Sequence, residues 1–275
     1  MTALAMRRGI RRVDMRKGMS AALLAAALSA FLATGSAGDE TQRRVWTDSS
    51  FDTELSSPRL SARFQGGMLY KLVDKTSGKT LISIDPSTIS PKVPLFGNTS
   101  VNLKAFAVEQ TKSDRVLSVT YTWMNAIKWL VKWHVAADGS LVLQSWAKST
   151  EPAKEFQISF AGCDLTAHTL ILSNENDLGS QATAPWDGEI VRYASNVASP
   201  GKTEPIAAVF RGEGRGWMLE SWMNKGDRAT LTATGRGKTA EVAIARLYRV
   251  PTRNLALPEV RFGTYTEELD RSLLH

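Results

Sequence analysis

Apolar and polar residues alternate with period two along most of the chain, and a period near 3.6 is almost absent, so the pattern predicts strands rather than helices. RLSARFQG and GMLYKLVD flank a Gly66-Gly67 turn, and KTSGK then turns the chain into TLISID. VNLKAFAVEQ and VLSVTYTWM flank a polar TKSDR turn. IKWLVKWHVAADGSLVLQSWAKS reads as two strands about Asp138-Gly139, because that pair accepts the positive φ of a tight hairpin. FQISFAG, DLTAHTLIL, IVRYAS, PIAAVF, GWMLESW, RATLTA and EVAIARLYRV follow, giving roughly fourteen strands spaced as in sandwiches and barrels. Residues 85–99 read as a proline-rich connection, and only EELDRSLLH reads as the beginning of a helix. The expected fold class is all-β, a large antiparallel two-sheet sandwich.

The first 37 residues interrupt this pattern. Arg7, Arg8, Arg11, Arg12, Arg16 and Lys17 form a positive region, Ser20 to Ala33 an apolar one, and Gly35-Ser36-Ala37 a small-residue cleavage point. That is the layout of a secretory signal helix, and the apolar run is shorter than the roughly 18 residues a spanning helix needs. The expected organisation is a signal peptide over 1–37, a sandwich domain over 38–260 and a tail over 261–275. The expected location is secreted or periplasmic, with no membrane association after cleavage. Composition changes meaning once this segment is set aside. The chain has 34 Lys and Arg against 27 Asp and Glu, and residues 1–37 hold six and one of these, which leaves 28 against 26. The basic excess therefore belongs mostly to the signal, and nucleic acid is not an expected partner. The single cysteine, Cys163, cannot form an internal disulfide and reads as a small buried residue.

Several motifs mimic chemistry they cannot perform. Gly-Lys-Thr occurs at 78–80, 201–203 and 237–239, but a phosphate loop needs a glycine where Val73, Asn196 and Thr232 stand. GEGRG at 212–216 joins two strands, so the helix N-terminus of a dinucleotide site is missing and the stretch reads as a hairpin loop. Ser145/Lys148 and Ser199/Lys202 have Ser-x-x-Lys spacing, which brings the pair together on a helix but onto opposite faces of a strand. The histidines are His134, His168 and His275, too few and too scattered for a metal centre, and no metal or cofactor is expected.

Tryptophan is the conspicuous residue, with eight in the chain. Trp123, Trp129, Trp133 and Trp146 fall in one hairpin block, where even spacing puts Trp129 and Trp133 on one strand face, as core packing requires. Trp186 reads differently, because SNENDLGSQATAPWDGE (173–189) has the look of a polar loop. An aromatic face pairs with the apolar face of a pyranose while adjacent polar groups take its hydroxyls. Trp186 and Asp187, with Asn174, Glu175 and Asp177, are therefore the candidate carbohydrate-binding residues, although such short polar side chains also cap turns. No catalytic residue can be assigned from spacing.

The early RLSARFQGGMLYKLVDKTSGKTLISID, the middle VLSVTYTW with IKWLVKWHVAADGSLVLQSW, and the late PIAAVFRGEGRGWMLESWMNKGDRATLTATG together resemble the galactose-mutarotase-like β-supersandwich. This is the N-terminal domain of many bacterial glycoside hydrolases, ahead of a catalytic barrel. LYRVPTRNLALPEVRFGTYTEELDRSLLH resembles the passage from sandwich to barrel. The resemblance implies secretion, a carbohydrate or a catalytic barrel domain as partner, and a non-catalytic role for this portion, since the chain stops where the barrel would begin. Alternatives stay open. A stand-alone mutarotase or epimerase would use His134 and His168 with Glu175 or Glu189. A polysaccharide lyase would have Arg192-Tyr193 as its suggestive pair. A structural envelope protein would need none of them.

Overall fold

The computed structural model describes residues 51–88, 107–123, 126–174, 180–195, 204–223 and 228–266, all within one compact unit, 44–275. The expected signal segment and the start of a C-terminal helix lie outside these residues. What is described is all-β, and every strand pairing is antiparallel.

The strands are β1 (Asp52–Ser56), β2 (Leu60–Gln65), β3 (Met68–Asp74), β4 (Thr80–Ser83), β5 (Ala107–Lys112), β6 (Val116–Trp123), β7 (Ile127–Val135) and β8 (Leu141–Asp164). They continue as β9 (Thr169–Asn174), β10 (Gln181–Ala182), β11 (Trp186–Ser195), β12 (Glu204–Arg211), β13 (Arg215–Met223), β14 (Arg228–Gly237), β15 (Thr239–Ala256) and β16 (Val260–Thr266). The turns fall where the glycines predicted them. Gly66 and Gly67 join β2 to β3 at φ 55° and 81°, Gly78 sits between β3 and β4, and Gly139 turns β7 into β8 at φ 84°.

β8 is the spine. Its first half pairs with β7 (Ile127↔Ser149 to Val135↔Leu141) on one side and with the end of β15 and β16 on the other. Its second half pairs with the start of β15 and touches β4 at Ile82↔Cys163. Two layers result, joined through β8. The first runs β5-β6-β7-β8-β16-β13-β12-β9-β10, and the second runs β1-β2-β3-β4-β8-β15-β14-β11. Alternation predicts two strands here, LVLQSWAKS and FQISFAG. They fuse instead, because the register shifts between Leu247 and Asn254 let β15 follow β8 across the bend.

The core lies between the layers. Trp133 on β7 packs against Phe64 of β2 and Phe262 of β16, with ring centroids 5.0 and 5.6 Å away, and its indole N–H donates to the Gly67 carbonyl at 2.7 Å. Trp129 stacks on Tyr121 and donates to the Ser145 hydroxyl at 2.9 Å. Tyr121 donates to the Gly66 carbonyl from the opposite layer. Asp74, 2 % exposed at the end of β3, meets the Arg215 guanidinium of β13 at 2.6 Å, a buried ion pair between layers. Cys163 is buried, and burial pushes its thiol pKa well above the ordinary range.

Candidate functional site

The outward face of the first layer carries a polar cluster built by strand alternation. On β7 the inward residues Trp129, Val131 and Trp133 are buried, which leaves Lys132 and His134 on the outer face. The same alternation presents Gln144 and Trp146 from β8, Arg261 from β16, and Glu220 and Trp222 from β13. Register aligns them into rows: His134 opposes Val142, Val142 opposes Arg261, and Arg261 opposes Glu220.

Arg261 is the hub. Its guanidinium meets Asp138 of the β7–β8 turn at 3.1 Å and Glu259 at 3.6 Å. Glu259 in turn accepts from the Gln144 amide at 3.2 Å. Asp138 is held below the usual carboxylate range by hydrogen bonds from the Ser140 hydroxyl and N–H, with Arg261 adding to them. Burial pushes the Glu220 carboxyl up, against a hydrogen bond from the Trp222 indole and the charge of Arg261. Burial lowers the His134 pKa, and Lys132 and Arg261 lower it further against the pull of Glu259. The shift favours the neutral imidazole. Register places Arg261 between Glu220 and the His134 row, and the cluster offers donors and acceptors that suit hydroxyl groups.

Two tryptophans border this cluster. Trp146 is 43 % exposed and Trp222 is 48 % exposed, whereas Trp129, Trp133 and Trp217 are at most 2 % exposed. Spacing separates the two kinds. Trp217 and Trp222 are five apart on β13, so one must face the core and the other solvent. That odd spacing was the signal in GWMLESW, and reading the stretch simply as a strand passes over it.

The residues nominated from sequence fall elsewhere. Trp186 is not in a loop but opens β11, half-buried and packed against the core. Its ring lies over the β14 backbone at Gly235, where an added Cβ would come within 2.4 Å of it. Asp187 accepts a hydrogen bond from the Gly237 N–H at 3.0 Å and so supports the β14–β15 turn. Asn174 ends β9, and Glu175 and Asp177 lie outside the described residues. His168 is not in a strand: it sits in the β8–β9 turn, buried, with Nδ1 3.5 Å from Asp164. It lines an open cleft of about 450 Å³ with Thr183, Arg211 and Glu213. No hydrogen bond or ion pair joins His134, His168 and Glu189, which occupy the outer face of the first layer, a turn and β11 of the second layer. Tyr193 is 68 % exposed while its neighbour Arg192 is half-buried, so that pair faces opposite ways from β11. A second cleft of about 340 Å³ is lined largely by core side chains, among them Met68, Trp133 and Ile158. Among the described residues no three His, Cys, Asp or Glu side chains are grouped to hold a metal ion.

No protein-family model matches the chain, and no curated protein does. Solved structures do. The alpha-N-acetylgalactosaminidase NagBb from Bifidobacterium bifidum, in its GalNAc complex, superposes with a TM-score of 0.52 at 10 % identity over 78 % of this chain and 36 % of that one. Its ligand-free form gives 0.52 at 12 % identity over the same shares. A GalM/aldose epimerase homologue from C. elegans gives 0.48 at 10 % identity, over 78 % of this chain and 98 % of that one. The chain thus spans about a third of the length of NagBb. At such identities the likeness is one of fold alone, a β-sandwich shared with part of NagBb.

Proposed function

We propose that this protein is an exported, carbohydrate-associated supersandwich that recognises glycan on the outer face of its first layer and acts as the non-catalytic N-terminal portion of a glycoside-hydrolase-like protein. One observation carries the reading: Trp146 and Trp222 are exposed on the same face, around the hydrogen-bonding groups of Gln144, Glu220, Glu259 and Arg261. Soluble proteins expose large aromatic rings sparingly, and rings beside polar groups suit a sugar, which has both an apolar ring face and hydroxyls. The fold shared with a GalNAc-complexed hydrolase supports a carbohydrate setting, and the basic-apolar-small N-terminal segment supports export. The partner is carbohydrate or a catalytic barrel domain.

Pull-down on insoluble polysaccharides tests the reading. Trp222→Ala lowers retention at least tenfold, while Trp186→Ala leaves it unchanged if the ring serves β14 packing alone. No retention of the wild-type protein on any polysaccharide contradicts the proposal. Edman sequencing of the exported form tests the signal, with a start at Gly38 expected.

A further inference from the structure

We propose that the outer face of the first layer binds a linear glycan, laid diagonally across β8, β16 and β13 so that Trp146 and Trp222 stack on different sugar residues of one chain. The inference rests on the glycan-binding reading above and adds the minimum length of the ligand. Its first support is spacing. Ser221 opposes Val260 and Val260 opposes Leu143, so Trp222 and Gln144 lie in line with Glu259 between them, and Trp146 stands two residues further along β8. Two strand spacings across and two residues along amount to about 12 Å between the backbones. That separation suits a chain that meets the two tryptophans with different sugar residues.

The second support is the ground between the rings. Gln144 and Glu259 stand there already hydrogen-bonded to each other, beside Arg261 with its two carboxylate partners. Such groups accept and donate to hydroxyls without moving far.

The test is calorimetric titration of the full chain with cello-, xylo-, manno-, galacto-, malto- and chito-oligosaccharides of one to six units, and with oligogalacturonates of the same lengths. For one series affinity rises at least tenfold between one and four units and then levels off. Trp146→Ala and Trp222→Ala each return the longer ligands to the affinity of the shorter ones, and Trp146→Phe retains most of the gain. Circular dichroism and thermal unfolding confirm that the variants fold. A monosaccharide bound as tightly as the longer sugars overturns the chain reading and leaves the glycan-binding proposal standing. So does indifference of the longer ligands to Trp146→Ala. Binding of no sugar of any length overturns both proposals together.

Discussion

The eight tryptophans show how far single residues can be read. Trp129 and Trp133 are legible as core from their even spacing, and the structure places both rings between the layers. Truncating Trp133 to Ala removes a ring that touches Phe64, Phe160 and Phe262 and leaves the Gly67 carbonyl without its donor. Denaturant unfolding should show a loss of about 3–5 kcal/mol. Trp222→Ala should cost no more than about 1 kcal/mol, because nearly half of that side chain already faces water. Equal losses at the two positions would mean that Trp222 is structural. Trp186 was harder to read: the Trp-Asp-Gly run looks like loop chemistry, yet the ring belongs to a strand because Gly188 and Gly235 leave room for it to lie over the sheet. Steric room of that kind depends on a partner strand some fifty residues away and is not a local property of sequence.

Among elements, hairpins were the most legible, since each turn carries its own chemistry in Gly66-Gly67, Lys75 to Lys79 and Asp138-Gly139. What alternation could not show was that one strand, β8, serves both layers. Its second half comes against β4 at Gly162, which adopts φ 69° beside the Ser83 carbonyl, where an added Cβ would fall at 2.2 Å. Gly162→Ala meets both a left-handed backbone and a clash with backbone atoms that cannot swing aside, and should destabilise by about 2 kcal/mol or more. Hydrogen exchange should localise the loss to β4 and the second half of β8; a variant as stable as wild type would contradict this close approach of β8 to β4. The Arg261 cluster was illegible for a related reason. Glu220 and Gln144 come from β13 and β8 and Glu259 immediately precedes β16, and only the register of β16 between β8 and β13 brings them together.

For the whole molecule, the two layers are tied by the buried Asp74–Arg215 pair as well as by the apolar core. Burial alone would raise the Asp74 pKa, but hydrogen bonds from Ser77 and the Thr76 N–H, together with Arg215, hold it below the usual carboxylate range. A depressed folded-state pKa stabilises above the unfolded value and loses that contribution as pH falls through the folded one. Arg215→Ala should therefore cost about 1–3 kcal/mol at pH 7, with the gap from wild type narrowing in acid below the ordinary carboxylate range. A gap independent of pH would mean that the layers are held by packing alone. The central claim is that the outer face of the first layer is where glycan sits. Acrylamide quenching of tryptophan fluorescence, with and without a retained polysaccharide, tests it most directly, because Trp146 and Trp222 are the large exposed indoles among the described residues. Glycan should shield the protein from quenching, with roughly half the shielding lost in Trp222→Phe and none lost in Trp186→Phe. Shielding that is absent, or that disappears only when Trp186 is replaced, would contradict the account.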